Sequence, residues 1–203
     1  IATIVVFILL IAGFATINYR QSFKTVTLNV KREGVSVTIR NAGGGTVKEI
    51  PAQVGTTTFK LRQGTYQIIP SGNNISANPI PLIVTESGAS VDIDPSYSGE
   101  YLETLLNDEI ESINSLLVST YPNVISNFTI KRGTLHKHGE WYTTTLIQDW
   151  FEPSVPGDVY RTVLHKEDGA WKIVAPPAIV LSAKEHPSIP REILDAINIE
   201  TGY

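Results

Sequence analysis

Two histidines lie two residues apart in the C-terminal half of the chain, a spacing that could bind a metal ion. His136 and His138 are followed by Glu140. In a strand, alternate residues point to one face, so both imidazoles and the carboxylate could reach the same ion. A solvated hairpin tip is the competing interpretation, because Lys137 and Gly139 are typical turn residues. We favour the hairpin tip and predict neither a metal site nor a cofactor.

Aromatic side chains and acid–base groups accumulate in the same part of the chain. The aromatic residues are Trp141, Trp150, Tyr160 and Trp171, and the acid–base groups are His165, Asp149 and Asp158. In a cone-shaped sheet they could line a pocket for acid–base chemistry. An aromatic core and rim is the alternative, and we favour it. The sequence has no nucleophile elbow and no phosphate loop, so we predict no catalytic residue and expect that the chain is not an enzyme.

Composition excludes several other kinds of chemistry. The 203 residues include no cysteine, which rules out disulfides, thiolate zinc sites and a cysteine nucleophile. The net charge is −4, whereas nucleic-acid binders normally carry a basic surface, so we predict no nucleic-acid partner. Residues 43–45 are three glycines that could cradle a phosphate, but no Lys-Ser/Thr pair follows them. They therefore predict a hairpin tip.

Two short segments match the N-glycosylation sequon, Asn-X-Ser/Thr. They are Asn74-Ile75-Ser76 and Asn127-Phe128-Thr129. Chance alone produces matches at this frequency in a chain of this length. They matter only if the source organism glycosylates its surface proteins.

The first 19 residues are almost wholly apolar, and Arg20 is the first charged residue. As a helix they would extend about 28 Å at about 1.5 Å per residue, close to the roughly 30 Å hydrocarbon core of a bilayer. They lack the polar face of a surface helix. We therefore predict a single-pass transmembrane or lipid-embedded helix over residues 1–19, with the lipid bilayer as a partner. The alternative is a helix that partner chains cover in a filament or oligomer.

The chain starts at Ile1 and contains no Met, so we expect that the initiator was lost by truncation or by processing. Basic residues follow the apolar segment, which by itself would place them in the cytoplasm. This positive-inside rule needs the charges on both sides of the apolar segment, and long domains translocate despite their charge. We favour an extracytoplasmic location because of the strand-rich architecture.

Alternating apolar and polar residues predict an all-β sandwich domain over residues 20–95. Turn residues such as Gly34 and Gly64 separate the segments. The boundary is placed near residue 95, because residues 20–95 carry a net charge of +3 and residues 96–203 carry a net charge of −7. The predicted strands are 25–31, 35–40, 47–50, 57–62, 66–69, 80–84 and 90–93.

This domain resembles a PEGA-type surface domain. The resemblance is carried by residues 34–39, by Gly45-Thr46 and by the segment from Leu61 to Tyr66. The tetrapeptide that names the group is absent. The resemblance implies a small Ig-like β-sandwich in the extracytoplasmic or membrane-attached part of a prokaryotic protein, and it implies no catalytic residue.

An α+β domain is predicted over residues 96–203. Leucines and isoleucines at 3–4-residue spacing form one stripe over residues 99–119, which indicates a long helix. Glu167-Asp168-Gly169 indicates a hairpin, Pro176-Pro177 must break or bulge the last strand, and a short helix closes the chain. The predicted strands are 126–136, 141–150, 159–165 and 171–181. One long helix on a curved antiparallel sheet resembles the cystatin-like and nuclear-transport-factor-like group, by element order alone.

Three functions fit these features. The first is a membrane-anchored extracytoplasmic structural or interaction protein of a prokaryotic cell envelope, which binds an unidentified protein or envelope partner. The second is a type IV pilin-like filament subunit with residues 1–19 in the filament core, although Val5 replaces the Glu of bacterial pilins. The third is a membrane-tethered enzyme or small-ligand binder that uses a cavity in the second domain. We favour the first, and the sequence leaves the oligomeric state open.

Overall fold

A computed structural model of the protein describes residues 23–149 and 158–199. The described residues form two compact units, which divide between Pro95 and Ser96. The helix predicted over residues 1–19 lies outside the described residues. Among the helices of the described part, none is both long enough and apolar enough to cross a membrane.

The first unit consists of two β-sheets. One sheet has the order β4-β1-β7, with β1 antiparallel to β4 and parallel to β7. The other has the order β3-β2-β5-β6 and is antiparallel throughout. The strands are β1 (Phe23–Val30), β2 (Ser36–Asn41), β3 (Thr46–Ile50), β4 (Gly55–Arg62), β5 (Gly64–Ser71), β6 (Ile80–Val84) and β7 (Ala89–Ile93).

Both sheets of the first unit contribute one face to a shared hydrophobic core. In β1, Val26, Leu28 and Val30 are buried, while the residues between them are at least partly exposed. This period of two is the pattern of a sheet with one face in the core and one in solvent. Val37 and Ile39 of the second sheet belong to the same core. The unit is therefore a two-layer sandwich.

The second unit combines one sheet with helices. Its sheet has the order β12-β11-β10-β8, and β9 also pairs with β10. Helix α1 begins after Ser98, whose hydroxyl accepts a hydrogen bond from the backbone N–H of Tyr101. The elements are α1 (Gly99–Thr120), α2 (Pro122–Ile125), β8 (Phe128–Ile130), β9 (Thr134–His136), β10 (Trp141–Gln148), β11 (Val159–Glu167), β12 (Ala170–Ala178) and α3 (Arg191–Ile199).

Helices cover this sheet on both faces. Neighbouring residues of a strand point to opposite faces. Tyr142 packs in the cluster with Leu106, Ile113 and Leu117 of α1, whereas the adjacent Trp141 packs in the cluster that includes α3. All six residues from Trp141 to Leu146 are consequently buried.

The segment predicted as one strand over residues 126–136 is in fact two strands, β8 and β9. Ile130 pairs with Leu146, and Thr134 pairs with Thr143. Three residues, 131–133, therefore lie between these positions in the β8–β9 segment, whereas only two, 144 and 145, lie between them in β10. An extra residue on one strand is the signature of a β-bulge. The backbone N–H of Gly133 leaves the ladder and donates to the Tyr142 hydroxyl (N–O 3.0 Å).

Two predictions about β11 and β12 are confirmed, a turn and a bulge. Asp168 and Gly169 join β11 to β12 and both have positive φ, 52° and 80°, as a two-residue type I′ turn requires. The β11–β12 register shifts on both sides of Val163. Pro176 and Pro177 of β12 lie in this stretch and cannot donate to the ladder.

The fold class predicted from the sequence is wrong: it was a transmembrane helix, then an all-β sandwich, then an α+β domain with one long helix on a curved antiparallel sheet. Strands dominate the described residues, and no helix among them could span a membrane. The first unit includes a parallel strand pair. In the second unit α3 buries Ile193, Leu194 and Ile197, so a second apolar helix covers the other face of the sheet.

Candidate functional site

The space between α1 and the sheet, where a cone-shaped fold could hold a ligand, is filled by side chains. Leu106 and Leu117 of α1 meet Tyr142 and Leu164 of the sheet, and all four are fully buried. Trp171 packs against them from β12. These side chains form an apolar core. The acid–base pocket was the less favoured of the two interpretations of the sequence.

Glu109 connects α1 to the sheet. Its carboxylate accepts a hydrogen bond from the Trp171 indole (Nε1–Oε2 2.8 Å) and an ion pair from the Lys166 ammonium. The Lys166 Nζ also lies 5.6 Å from the centre of the Trp171 ring. Burial by itself would raise the pKa of Glu109, but the hydrogen bonds from Lys166 and Trp171 outweigh it and lower that pKa below its ordinary value. Glu109 thus stays ionised and ties helix to sheet.

His165 lies on the opposite face of the sheet, stacked on Trp141. The two ring centres are 4.1 Å apart and the planes are inclined by 24°. His165 Nδ1 lies 3.2 Å from Glu167 Oε1, and Lys172 Nζ donates to the other carboxylate oxygen at 2.6 Å. Two hydrogen bonds lower the pKa of Glu167, the larger effect coming from Lys172 and the smaller from His165. The imidazole therefore has a stacking partner and a carboxylate partner.

The other acid–base candidates lie far from His165. His165 pairs with Trp141 at the start of β10, whereas Asp149 follows its end. Eight residues of strand span about 26 Å at about 3.3 Å per residue. Asp149 accepts a hydrogen bond from the Thr129 hydroxyl, and Tyr160 packs edge-on against Phe128 with ring centres 5.1 Å apart.

Two further candidates complete this set. The backbone carbonyl of Asp158 accepts from the Gln148 N–H at 3.4 Å. Trp150 lies outside the described residues. The structure does not bring Asp149, Asp158, Tyr160 and His165 together in one site.

His136 and His138, the candidate metal ligands, contact different partners. The His136 Nε2 lies 2.8 Å from the Thr143 hydroxyl, and burial lowers the pKa of this imidazole. His138 packs edge-on against Tyr97, with ring centres 5.6 Å apart. Lys137 has φ 56°, as a turn residue would. Among the residues that the structure describes, no three His, Asp or Glu side chains are placed to hold a metal ion.

The glycines at 43–45 form the hairpin tip between β2 and β3. The Asn41 side-chain carbonyl accepts from the Gly45 N–H at 2.9 Å, and the Asn41 backbone carbonyl accepts from the Gly44 N–H at 2.9 Å. The N–H groups of Gly44 and Gly45 are therefore engaged within the turn. The hairpin-tip prediction is confirmed.

One concavity in the first unit was not predicted. A surface groove of about 400 Å³ runs beside β2 and the edge strand β3. It is lined by Ser36, Val37, Thr38, Glu49, Ile50 and Pro51. The glycines at 43–45 predict the hairpin of β2 and β3, but nothing in the residue pattern indicates a groove beside it.

The fold defines a two-unit protein, a β-sandwich followed by a helix-covered sheet, without a convergent acid–base centre in residues 23–149 and 158–199. No family model matches the chain, and no curated protein matches it. Among solved structures, it is similar to a DUF3823 family protein from Bacteroides ovatus, with 14% identity and a TM-score of 0.28. That match covers 76% of this chain and 97% of the other. A similarity at this score carries no argument about fold or function.

Proposed function

We propose that this chain is a structural or interaction protein of a prokaryotic cell envelope, attached to the membrane and exposed outside the cytoplasm. Residues 1–19 attach it to lipid, the sandwich unit serves as a stalk, and the second unit contacts a protein or envelope partner. Its role is binding and scaffolding, without chemistry on a substrate.

The filled interior of the second unit is the observation that carries the proposal of a binding role. Tyr142, Leu164 and Trp171 occupy the space under α1 that an enzyme or small-ligand binder of this architecture would keep open. Glu109, which hydrogen-bonds to Trp171 of this core, also pairs with Lys166. Glu109, Lys166 and His165 thus have structural partners, which disfavours a membrane-tethered enzyme or small-ligand binder.

The envelope location is supported by sequence features. Residues 1–19 carry no charge and have the apolar composition of a lipid-embedded segment. The resemblance of the first unit to PEGA-type surface domains points to the same location. The pilin-like alternative is less favoured, because pilin helices run on from the apolar segment into the headpiece. Here residues 23–30 form strand β1.

Cell fractionation tests this proposal. The full chain, produced in its native host, is expected in the membrane fraction after a carbonate wash and should be cut by protease added to intact cells. A matched chain that starts at Arg20 should leave the membrane fraction. A full chain that is carbonate-soluble, or that is protected until the membrane is opened, would contradict the proposal. Filaments that sediment from sheared cells and contain the chain would replace it with the pilin-like function.

A further inference from the structure

The loop between β5 and β6 presents Asn74, the first residue of one sequon, on the surface of the sandwich unit. Asn74 is exposed and has φ 61°, the left-handed conformation that asparagine tolerates in tight turns. The next residue, Ile75, packs against the sandwich core, and its N–H donates to the Gly72 carbonyl at 3.4 Å. With Ile75 packed against the core, the turn leaves Asn74 exposed to solvent.

The second sequon has a different environment. The Asn127 amide donates to the Asn123 carbonyl and to the Ser126 hydroxyl, both at 3.1 Å, which engages both amide hydrogens. Phe128 and Thr129 belong to β8 and pair with β10. The Thr129 hydroxyl donates to Asp149. Asn127 and Thr129 are exposed, as Asn74 is, but the amide and the hydroxyl by which this sequon would be recognised already have hydrogen-bond partners.

We propose that Asn74 is a site of N-linked glycosylation and that Asn127 is not. The inference rests on the proposed extracytoplasmic function, since N-glycans are attached outside the cytoplasm to surface loops. The sugar donor is a saccharide joined through phosphate to a polyprenyl lipid. The Asn74 side-chain nitrogen forms a bond to the anomeric carbon, the bond from that carbon to the phosphate oxygen breaks, the amide loses one proton, and the lipid phosphate departs.

The position of Asn74 fits a glycan sterically. The residues from Gly72 to Pro79 form a connection of eight residues that carries no strand or helix, and most of them are exposed. The flanking strands pair at Ile68 and Ile80, so they anchor both ends of the loop. A transferase can therefore approach the loop without opening the sandwich core.

Peptide mass spectrometry of the full chain, recovered from the envelope of its native host, tests the proposal. The peptide that contains Asn74 is expected to carry a mass increment made of whole sugar units, and the peptide that contains Asn127 is expected to be unmodified. Asn74→Gln should abolish the increment, and so should Ser76→Ala, which keeps the asparagine but removes the sequon hydroxyl. Asn127→Gln is the matched control and should leave the increment unchanged.

Two results would overturn the inference. One is an unmodified Asn74 peptide from chain that is exposed to external protease, which leaves the proposed function standing. The other is a glycan on Asn127 in place of Asn74. The same protease assay separates the two proposals, because chain found inside the cytoplasm would contradict the proposed function directly. Unchanged circular dichroism of the variants excludes misfolding as the cause of a lost glycan.

Discussion

Strand β1 of the first unit and strand β10 of the second bury their residues in different patterns. In β1 buried residues alternate with partly exposed ones, whereas β10 is buried continuously from Trp141 to Leu146. Among the described residues of the first unit, the sheet of β1 packs into a core on one side only. In the second unit α1 and α3 cover both faces of the sheet. The number of covering layers, rather than strand composition, decides whether the period of two is visible.

The second difference concerns polar groups. A strand buried on both faces must satisfy any polar side chain within the protein, because water cannot do so. Thr144 donates to the Lys131 carbonyl at 2.6 Å, and Thr162 donates to the Ala175 carbonyl at 2.7 Å. In β1 the outward Thr27 is half-buried and borders solvent. Thr144 and Thr162 therefore play a structural role in the second unit that the outward Thr27 does not need in the first.

Substituting lysine at two neighbouring positions in each unit tests this difference most severely. Leu28→Lys should destabilise the first unit by more than about 3 kcal/mol, while Thr27→Lys should change its stability by less than about 1 kcal/mol. In the second unit both Val163→Lys and Leu164→Lys should destabilise by more than about 3 kcal/mol, because both faces are covered. Hydrogen exchange localised by mass spectrometry reports each unit separately. A tolerated lysine at Val163 would show that α3 does not close that face.

A smaller effect is expected where only a buried hydroxyl is removed. Thr162→Val keeps the shape of the side chain but leaves the Ala175 carbonyl without this donor, so it should cost about 1–3 kcal/mol. Thr27→Val, on the half-exposed face of β1, is the control and should cost less than about 0.5 kcal/mol. The three tryptophans all lie after residue 95, so their fluorescence in urea measures Thr162→Val in the second unit. Hydrogen exchange localised by mass spectrometry measures Thr27→Val in the first unit. Equal losses of unfolding free energy for Thr162→Val and Thr27→Val would remove the distinction between the units.

The smallest effect concerns Glu109 and depends on pH. The folded state lowers the pKa of Glu109 below its unfolded value, so its stabilising contribution is complete at neutral pH and is lost as the pH falls through the folded-state pKa. Glu109→Gln should therefore cost about 1 kcal/mol at pH 7, and the difference from the parent should shrink as the pH falls through the folded-state pKa of Glu109. Urea unfolding at several pH values measures this.

Glu111→Gln, on the exposed side of the same helix, is the control for this pH dependence. It should leave the stability unchanged across the same range of pH. A Glu109→Gln variant whose loss of stability does not shrink as the pH is lowered from 7 would show that the carboxylate charge is not what ties α1 to the sheet.

Local signals in the sequence located many elements. The apolar stripe indicated a helix over residues 99–119, and the helix spans Gly99–Thr120. Asp168-Gly169 specified its hairpin because few residue pairs adopt positive φ twice. The candidate site was less accessible, because the partners that decide the roles of side chains are distant. Glu109 meets Lys166 and Trp171 from 57 and 62 positions away.

The sequence by itself determined those features that depend on a few consecutive residues: turns with positive φ, the apolar stripe of α1 and the alternating strands of the first unit. Only the tertiary structure decided that α3 covers the second face of the sheet, that β8 and β9 separate at a bulge, and that His165 stacks on Trp141. The physical reason is one of range. Backbone preferences are set by near neighbours, whereas burial and hydrogen-bond partners are set by segments that meet only when the chain has folded.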